Sequence, residues 1–170
     1  MNEVLDMSKL ESGEIVLEEV GFNIDKLSDE TIGIVEELAK ERNIQIVEEE
    51  KSITHPYLMG SPIHVKRVLM NVLSNAIKYN RDNGFIYVSY RELESKEPSH
   101  VIIEFTCRDT GVGMSKEFQN KIFKPFAQEH MGSRSKYVGT GLGMPIAKSL
   151  VEKMGGSIAV SYTHLRAHET

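Results

Sequence analysis

An aspartate that ends an apolar run, with two glycines within the next four residues, can read an amine beside bare backbone. This chain carries one in Arg108-Asp109-Thr110-Gly111-Val112-Gly113-Met114. An ionised carboxylate only accepts hydrogen bonds, so Asp109 suits the exocyclic amine of adenine, and a flat ring can approach backbone that lacks a Cβ at Gly111 and Gly113. A plain Asp-Gly turn after a strand accounts for the same residues. A second stretch, Gly139-Thr140-Gly141-Leu142-Gly143, sets glycine at alternate positions directly before a helical pattern over 144–154 that Gly155-Gly156 stops. Pro145 suits the first turn of that helix. Unpaired N–H groups at such a start are what phosphate oxygens need. A dinucleotide fingerprint would need glycine where Met144 or Ile146 stands, and a P-loop would need Gly-Lys before Ser or Thr. A flexible linker is disfavoured because the glycines abut a well-patterned helix.

A third set lies on one predicted helix over 64–79. Val65, Val68, Leu69, Val72, Leu73, Ala76 and Ile77 form an apolar stripe, and Arg67, Asn71, Asn75 and Lys78 form a polar stripe beside it. Asn75 offers a carbonyl oxygen suited to Mg²⁺, which keeps waters and takes phosphate oxygens beside few protein ligands. Lys78 can meet a phosphate as a point charge. A solvated polar face is the ordinary reading of the same stripe.

These segments need a scaffold, and 170 residues suffice for one domain with a real core. Charged residues at 26% and hydrophobic residues at 40% describe a soluble globule, and the net charge of −5 argues against a nucleic-acid surface. The single cysteine, Cys107, excludes an internal disulfide and suits a reducing cytosol. No apolar run approaches a membrane span and no signal peptide opens the chain, so a cytoplasmic location is expected.

In chain order, 2–13 reads as the last turns of a helix stopped by Gly13, and 14–19 as a short extended piece. Leu27, Thr31, Ile34, Val35 and Leu38 mark an amphipathic helix over 24–41. Strands are expected from Ile44 and within 53–59, before a turn at Gly60-Ser61-Pro62. Asn83-Gly84 turns into an antiparallel pair over 85–91 and 100–107. Ser115 caps a short helix reaching Ile122, and Phe123-Lys124-Pro125-Phe126 ends it with two aromatics partly in the core. The polar run 128–138 reads as a mobile lid, with Arg134 and Lys136 as phosphate contacts.

Together these segments resemble the ATP-binding domain of sensor histidine kinases, in the superfamily that also holds gyrase and the heat-shock chaperone ATPases. Residues 71–79 (Asn-Val-Leu-Ser-Asn-Ala-Ile-Lys-Tyr) are similar to its asparagine box, and 109–113 to its first glycine box. Residues 123–126 are similar to its phenylalanine box and 139–143 to its second glycine box. The resemblance implies a two-layer α/β sandwich, a mixed sheet covered on one face by helices, with ATP held under the lid. It implies Asp109 as adenine reader, Asn75 as Mg²⁺ ligand, Asn71 and Lys78 beside the phosphates and Tyr79 near the nucleoside. The second glycine box, Gly139, Thr140, Gly141, Leu142 and Gly143, would follow the phosphate chain. The implied reaction is γ-phosphoryl transfer to a histidine. Hydrolysing relatives carry glutamate where Asn71 stands, and an amide cannot be that base.

The resemblance also divides the chain. Residues 1–13 would end the second helix of a dimerising phosphoacceptor hairpin, 14–160 would form the ATP-binding domain, and 161–170, which lack strand alternation and a glycine turn, read as a non-native tail. None of His55, His64, His100, His130, His164 or His168 has the acceptor's context, so self-phosphorylation is not expected. The implied partners are that hairpin and a downstream response regulator, with a homodimeric, membrane-anchored parent as one arrangement. A nucleotide-binding docking module and a chaperone-type ATP hydrolase are the other functions open to this sequence.

Overall fold

A computed structural model describes residues 3–126 and 142–160. The lid residues Arg134 and Lys136, the glycine-box residues Gly139, Thr140 and Gly141, and the segment 161–170 lie outside the described residues.

Strict alternation along β4 (Phe85–Glu94) builds the centre of the main sheet. Ile86, Val88 and Tyr90 point to one face and are at most 1% exposed. β2 (Gln45–Ser52) pairs with β4 in parallel, with a bulge between Glu48 and Glu50, and β5 (Val101–Asp109) pairs with it antiparallel. The sheet is therefore mixed, in the order β2-β4-β5. On its apolar face lie α2 (Ile24–Lys40) and α3 (Pro62–Lys78), which contribute Leu27, Val35, Leu69, Leu73, Ala76 and Ile77 to one core. Each large apolar side chain buried there contributes roughly 1.5–3 kcal/mol before entropy is counted. On the opposite face, Phe85 stacks on Tyr87 and the Arg108 guanidinium lies 4.4 Å from the Tyr87 ring centroid.

A second, smaller core joins the first described helix to the last. Leu142, Ile146 and Leu150 of the α5 region (helix Gly143–Lys153) pack with Met7 and Leu10 of α1 (Glu3–Ser12), Ile15, Val68 and Met154. α1 and α5 end alike. Gly13 and Gly155 take left-handed backbone, and Glu14 and Gly156 donate back to Lys9 and Val151. This Schellman closure explains both glycine stops.

One strand was not anticipated: β1 is Val20–Asn23, and it pairs antiparallel with β3 (Tyr57–Gly60) in a separate two-stranded ribbon. Strands of four residues are too short for a period-2 signal to register. Three sequence expectations are corrected after it. Pro62 opens α3 instead of closing a turn, because a proline costs nothing at the first helical position. The helix capped by the Ser115 hydroxyl, α4, is only Lys116–Gln119. Phe126 stands 64% exposed in left-handed backbone, whereas Phe123 is half-buried beneath the Lys148 ammonium.

Candidate nucleotide site

The α3 helix is hydrogen-bonded to both glycine segments, and this makes it the common wall of the site. Near its middle, Asn71 Nδ2 donates to the Gly143 carbonyl at 3.0 Å across 72 positions of sequence. At its C-terminal end, Val112 N–H donates to Tyr79 O at 3.4 Å, and Thr110 Oγ1 donates to Asn80 Oδ1 at 3.2 Å. Between these two anchors, Asn71, Asn75 and Lys78 follow one another at steps of four and three on one face. All three are half-buried, so this stripe is not an ordinary solvated face. Arg67, the first of the stripe, leaves the group: it pairs with Asp6 of α1 at 2.9 Å.

Asn75 and Lys78 are the part of that wall whose polar groups the fold leaves available. Among the described residues no hydrogen bond engages the Asn75 side-chain amide, and no carboxylate pairs with the Lys78 ammonium. The Lys78 Nζ rests 5.0 Å from the centroid of the Tyr79 ring. A neutral amide oxygen with no partner fits a Mg²⁺ ion that brings its own waters and phosphate oxygens. No group of three or more His, Cys, Asp or Glu among the described residues could hold a metal by itself.

Asp109 ends β5, paired with Ile86. Its Oδ1 accepts the Gly111 N–H at 2.7 Å. Lost hydration among surrounding protein atoms raises its carboxyl pKa above the ordinary value, and the Gly111 amide partly offsets the rise. The residue still keeps an exposed surface, so the carboxylate is recessed yet reachable. Burial pushes the neighbouring Cys107 thiol up to about 12, which keeps it protonated and unreactive.

The glycines divide by task. A Cβ on Gly111 would collide with Tyr79 O and come within 2.7 Å of Asp109 Oδ1 and 3.1 Å of the Asn80 Cα. Glycine is thus required there by chain packed on chain, which corrects the expectation of bare backbone open to a ring. Gly113 takes left-handed backbone at φ 74°. Among the described residues nothing lies within 4 Å of where a Cβ on Gly143 would stand, so none of them covers the start of α5. Leu142 occupies the N-cap position without a side-chain cap, and its carbonyl accepts the Ile146 N–H. The first-turn amides of Gly143 and Met144 therefore have no intrahelical acceptor. The Leu142 side chain is 0% exposed in the smaller core, which leaves only its backbone to face a ligand.

Sequence reasoning missed Asn80 and Thr110. Asn80 is 5% exposed; its Nδ2 donates to Phe85 O, and its Oδ1 accepts from Arg81 N–H and Thr110 Oγ1. Thr110 Oγ1 also accepts from Phe85 N–H at 2.9 Å. This junction ties the end of α3 to the Asp109 loop. Periodicity carries no trace of a link between residues 30 apart, although Thr110 stands inside one recognised box and Asn80 directly follows another, which was a usable cue.

With this geometry in view, the family model described as histidine kinase-, DNA gyrase B- and HSP90-like ATPase matches residues 60–169. The chain belongs to this family. Among its relatives, the sensor protein GacS of Pseudomonas syringae pv. syringae is 34% identical over 163 residues, 96% of this chain but 18% of GacS. The chain thus spans less than a fifth of that curated relative. The solved catalytic domain of histidine kinase ThkA superposes with a TM-score of 0.65 at 26% identity, covering 80% of this chain and 81% of that one. ThkA solved in complex with the response regulator protein TrrA shares the fold, with a TM-score of 0.65 at 24% identity, covering 91% of this chain and 41% of that one. An ATPase-family domain with α3 beside both glycine segments is a nucleotide-binding domain, and the mixed sheet under helices is its fold. Among the described residues no helix is long and apolar enough to cross a membrane.

Proposed function

We propose that this chain is the ATP-binding catalytic domain of a two-component sensor histidine kinase, moving the γ-phosphoryl group of ATP to a histidine on a separate helical hairpin. The observation that carries this reading is the double anchoring of α3, which sets Asn71, Asn75 and Lys78 between the Asp109 carboxylate and the start of α5. In this reading Asp109 accepts from the adenine amine and Tyr79 flanks the nucleoside. The backbone at Leu142 and Gly143 faces the phosphates, and Lys78 meets them as a charge. Gly111 and Gly113 shape the adenine loop; Arg134, Lys136, Gly139, Thr140 and Gly141 complete the phosphate side. Asn75 would hold Mg²⁺, which supplies charge neutralisation for the phosphates. The protein's contribution to transfer is then positioning and charge stabilisation, with ADP leaving as the imidazole nitrogen takes the phosphoryl group.

Asn71 supports transfer over hydrolysis. Its amide donates to Gly143 O, and a neutral amide cannot take a proton from water. We further propose that residues 1–13 belong to the hairpin's second helix, 14–160 to the catalytic domain and 161–170 to a non-native tail. The parent is proposed to act as a homodimer in the cytoplasm, passing its phosphoryl group to a response regulator.

The test supplies a phosphoacceptor hairpin from a related sensor kinase together with γ-labelled ATP and Mg²⁺. Acid-labile, base-stable label on the hairpin is the expected result. Sustained phosphate release without an acceptor would indicate the chaperone-type hydrolase instead, and ATP binding with no transfer to any hairpin would indicate a docking module.

A further inference from the structure

Arg42 lies in the turn between α2 and β2, outside every glycine-rich or amide-bearing box, yet its side chain is only 15% exposed. Its Nη1 donates to the carbonyls of Ile77 and Lys78, its Nη2 to the carbonyl of Asn80, and its Nε to Asp82 Oδ1 at 2.8 Å. The Ile77 and Lys78 carbonyls are among those that α3 leaves without i+4 partners at its C-terminus, where a cation also meets the negative end of the helix dipole, and the Asn80 carbonyl lies just beyond the cap. A planar fork with five donors can hold three carbonyls and a carboxylate at once, whereas an ammonium cannot. The same turn grips the loop a second time: Asn83 N–H donates to Arg42 O at 2.9 Å, and Asn43 Nδ2 donates to Asn83 Oδ1 at 2.7 Å.

What this grip fixes is the Asn80 junction. The Arg42 fork holds the Asn80 carbonyl, the Asn80 side chain accepts from Thr110, and Thr110 stands between Asp109 and Gly111. We infer that Arg42 is a positioning residue which, through Asn80 and Thr110, sets the spacing between the Asn75 and Lys78 face of α3 and the Asp109 carboxylate. It thereby governs nucleotide affinity and the preference for adenine over guanine. Guanine presents a carbonyl oxygen where adenine presents its amine, so a carboxylate held at a fixed place repels it, and a carboxylate free to shift repels it less. This inference rests on the adenine-reading role proposed for Asp109.

The experiment compares the full chain with Arg42→Met, Arg42→Lys and Thr110→Val, and with Arg91→Met as a control. Arg91 bonds only to Glu104 on an exposed surface of the sheet among the described residues. Amide exchange without nucleotide is followed at Arg81, Gly111 and Val112, whose N–H groups bond within the junction. Mg²⁺-ATP and Mg²⁺-GTP affinities are measured by calorimetry on each folded protein. In Arg42→Met and Thr110→Val those amides should exchange about tenfold faster or more, with the β4–β5 amides unchanged. ATP affinity should fall on the order of tenfold, and GTP affinity less, so that selectivity narrows. Arg42→Lys should lie between. If Arg42→Met does not fold, Thr110→Val decides from the other end of the chain of contacts. Unchanged exchange at the junction, or equal weakening of ATP and GTP, overturns the inference while leaving the proposed function standing. A wild-type chain that binds neither nucleotide overturns the proposed function, and the inference with it.

Discussion

Replacing Asp109 by asparagine separates the cost of this residue to the fold from its use to a ligand. Asparagine keeps the size of the side chain and an oxygen able to accept the Gly111 N–H, now made at 2.7 Å. The folded carboxyl has a raised pKa because it has lost hydration, so its ionised form is less favourable in the fold than in the unfolded chain. Removing the charge should therefore leave the empty domain as stable as wild type or more so at neutral pH. The sign follows from linkage: a raised acid is a burden above its folded pKa, and the burden lifts as pH falls from there toward the unfolded value of 3.8. The melting temperature of Asp109→Asn minus that of wild type should be largest near pH 7 and should shrink on acidification. Binding should move the other way. A hydrogen bond to a charged group is worth about 1.5–3 kcal/mol, so ATP affinity should fall roughly 10- to 150-fold. Calorimetric titration with Mg²⁺-ATP, beside melting curves from neutral pH down to the unfolded value of 3.8, reads both effects. A variant that binds ATP as tightly as wild type, or one that melts well below it at neutral pH, refutes the reasoning.

Leu142→Ala should destabilise the domain by about 2–5 kcal/mol, because that side chain is fully buried between α5 and α1; denaturant unfolding measures it, and an unchanged midpoint would contradict the packing. Asn71→Asp replaces the donor to Gly143 O with an oxygen facing a carbonyl, so a loss of roughly 1–3 kcal/mol is expected, with faster amide exchange confined to the first turn of α5. The Glu92 carboxylate accepts from the His55 ring, from His55 N–H and from Thr54 N–H, and these bonds hold its pKa below the ordinary value. The stability it lends is present above the unfolded carboxylate pKa and is lost as pH falls through the lower folded one. Exchange at the Thr54 and His55 amides should accelerate only in that acid window, and Glu92→Gln should accelerate it already at neutral pH.

How far the sequence could be read depended on the range of the interaction. The long helices were legible because Leu69, Leu73, Ala76 and Ile77 repeat at helical steps, and every one of them is buried. β4 and β5 were legible as an antiparallel pair because Asn83-Gly84 opens one strand and the apolar runs are long. The ribbon of β1 and β3 was not, since four residues a side give no period, and its partner lies beyond a whole helix. Gly13 and Gly155 were placed correctly at helix ends because left-handed closure is a local demand on one residue. Gly111 was identified as necessary for a different reason from the one the packing supplies. Its missing Cβ makes room for Tyr79 O and Asp109, which lie together only after folding.

The stripe on α3 makes the same point for the site. Arg67, Asn71, Asn75 and Lys78 were equivalent in the sequence, because spacing reports only a shared face. Three-dimensional partners then sort them. Arg67 is drawn to Asp6, Asn71 is drawn to Gly143 O, and Asn75 and Lys78 are left with neither a carboxylate nor a hydrogen-bonded carbonyl among the described residues. Their polar atoms are left to solvent in the empty domain, apart from the Lys78 ammonium resting on the Tyr79 ring, so an anion and its metal could engage them without first breaking a hydrogen bond or ion pair among the described residues. That division, more than the motif spelling, is what supports the proposal that the phosphates lie along this face of α3.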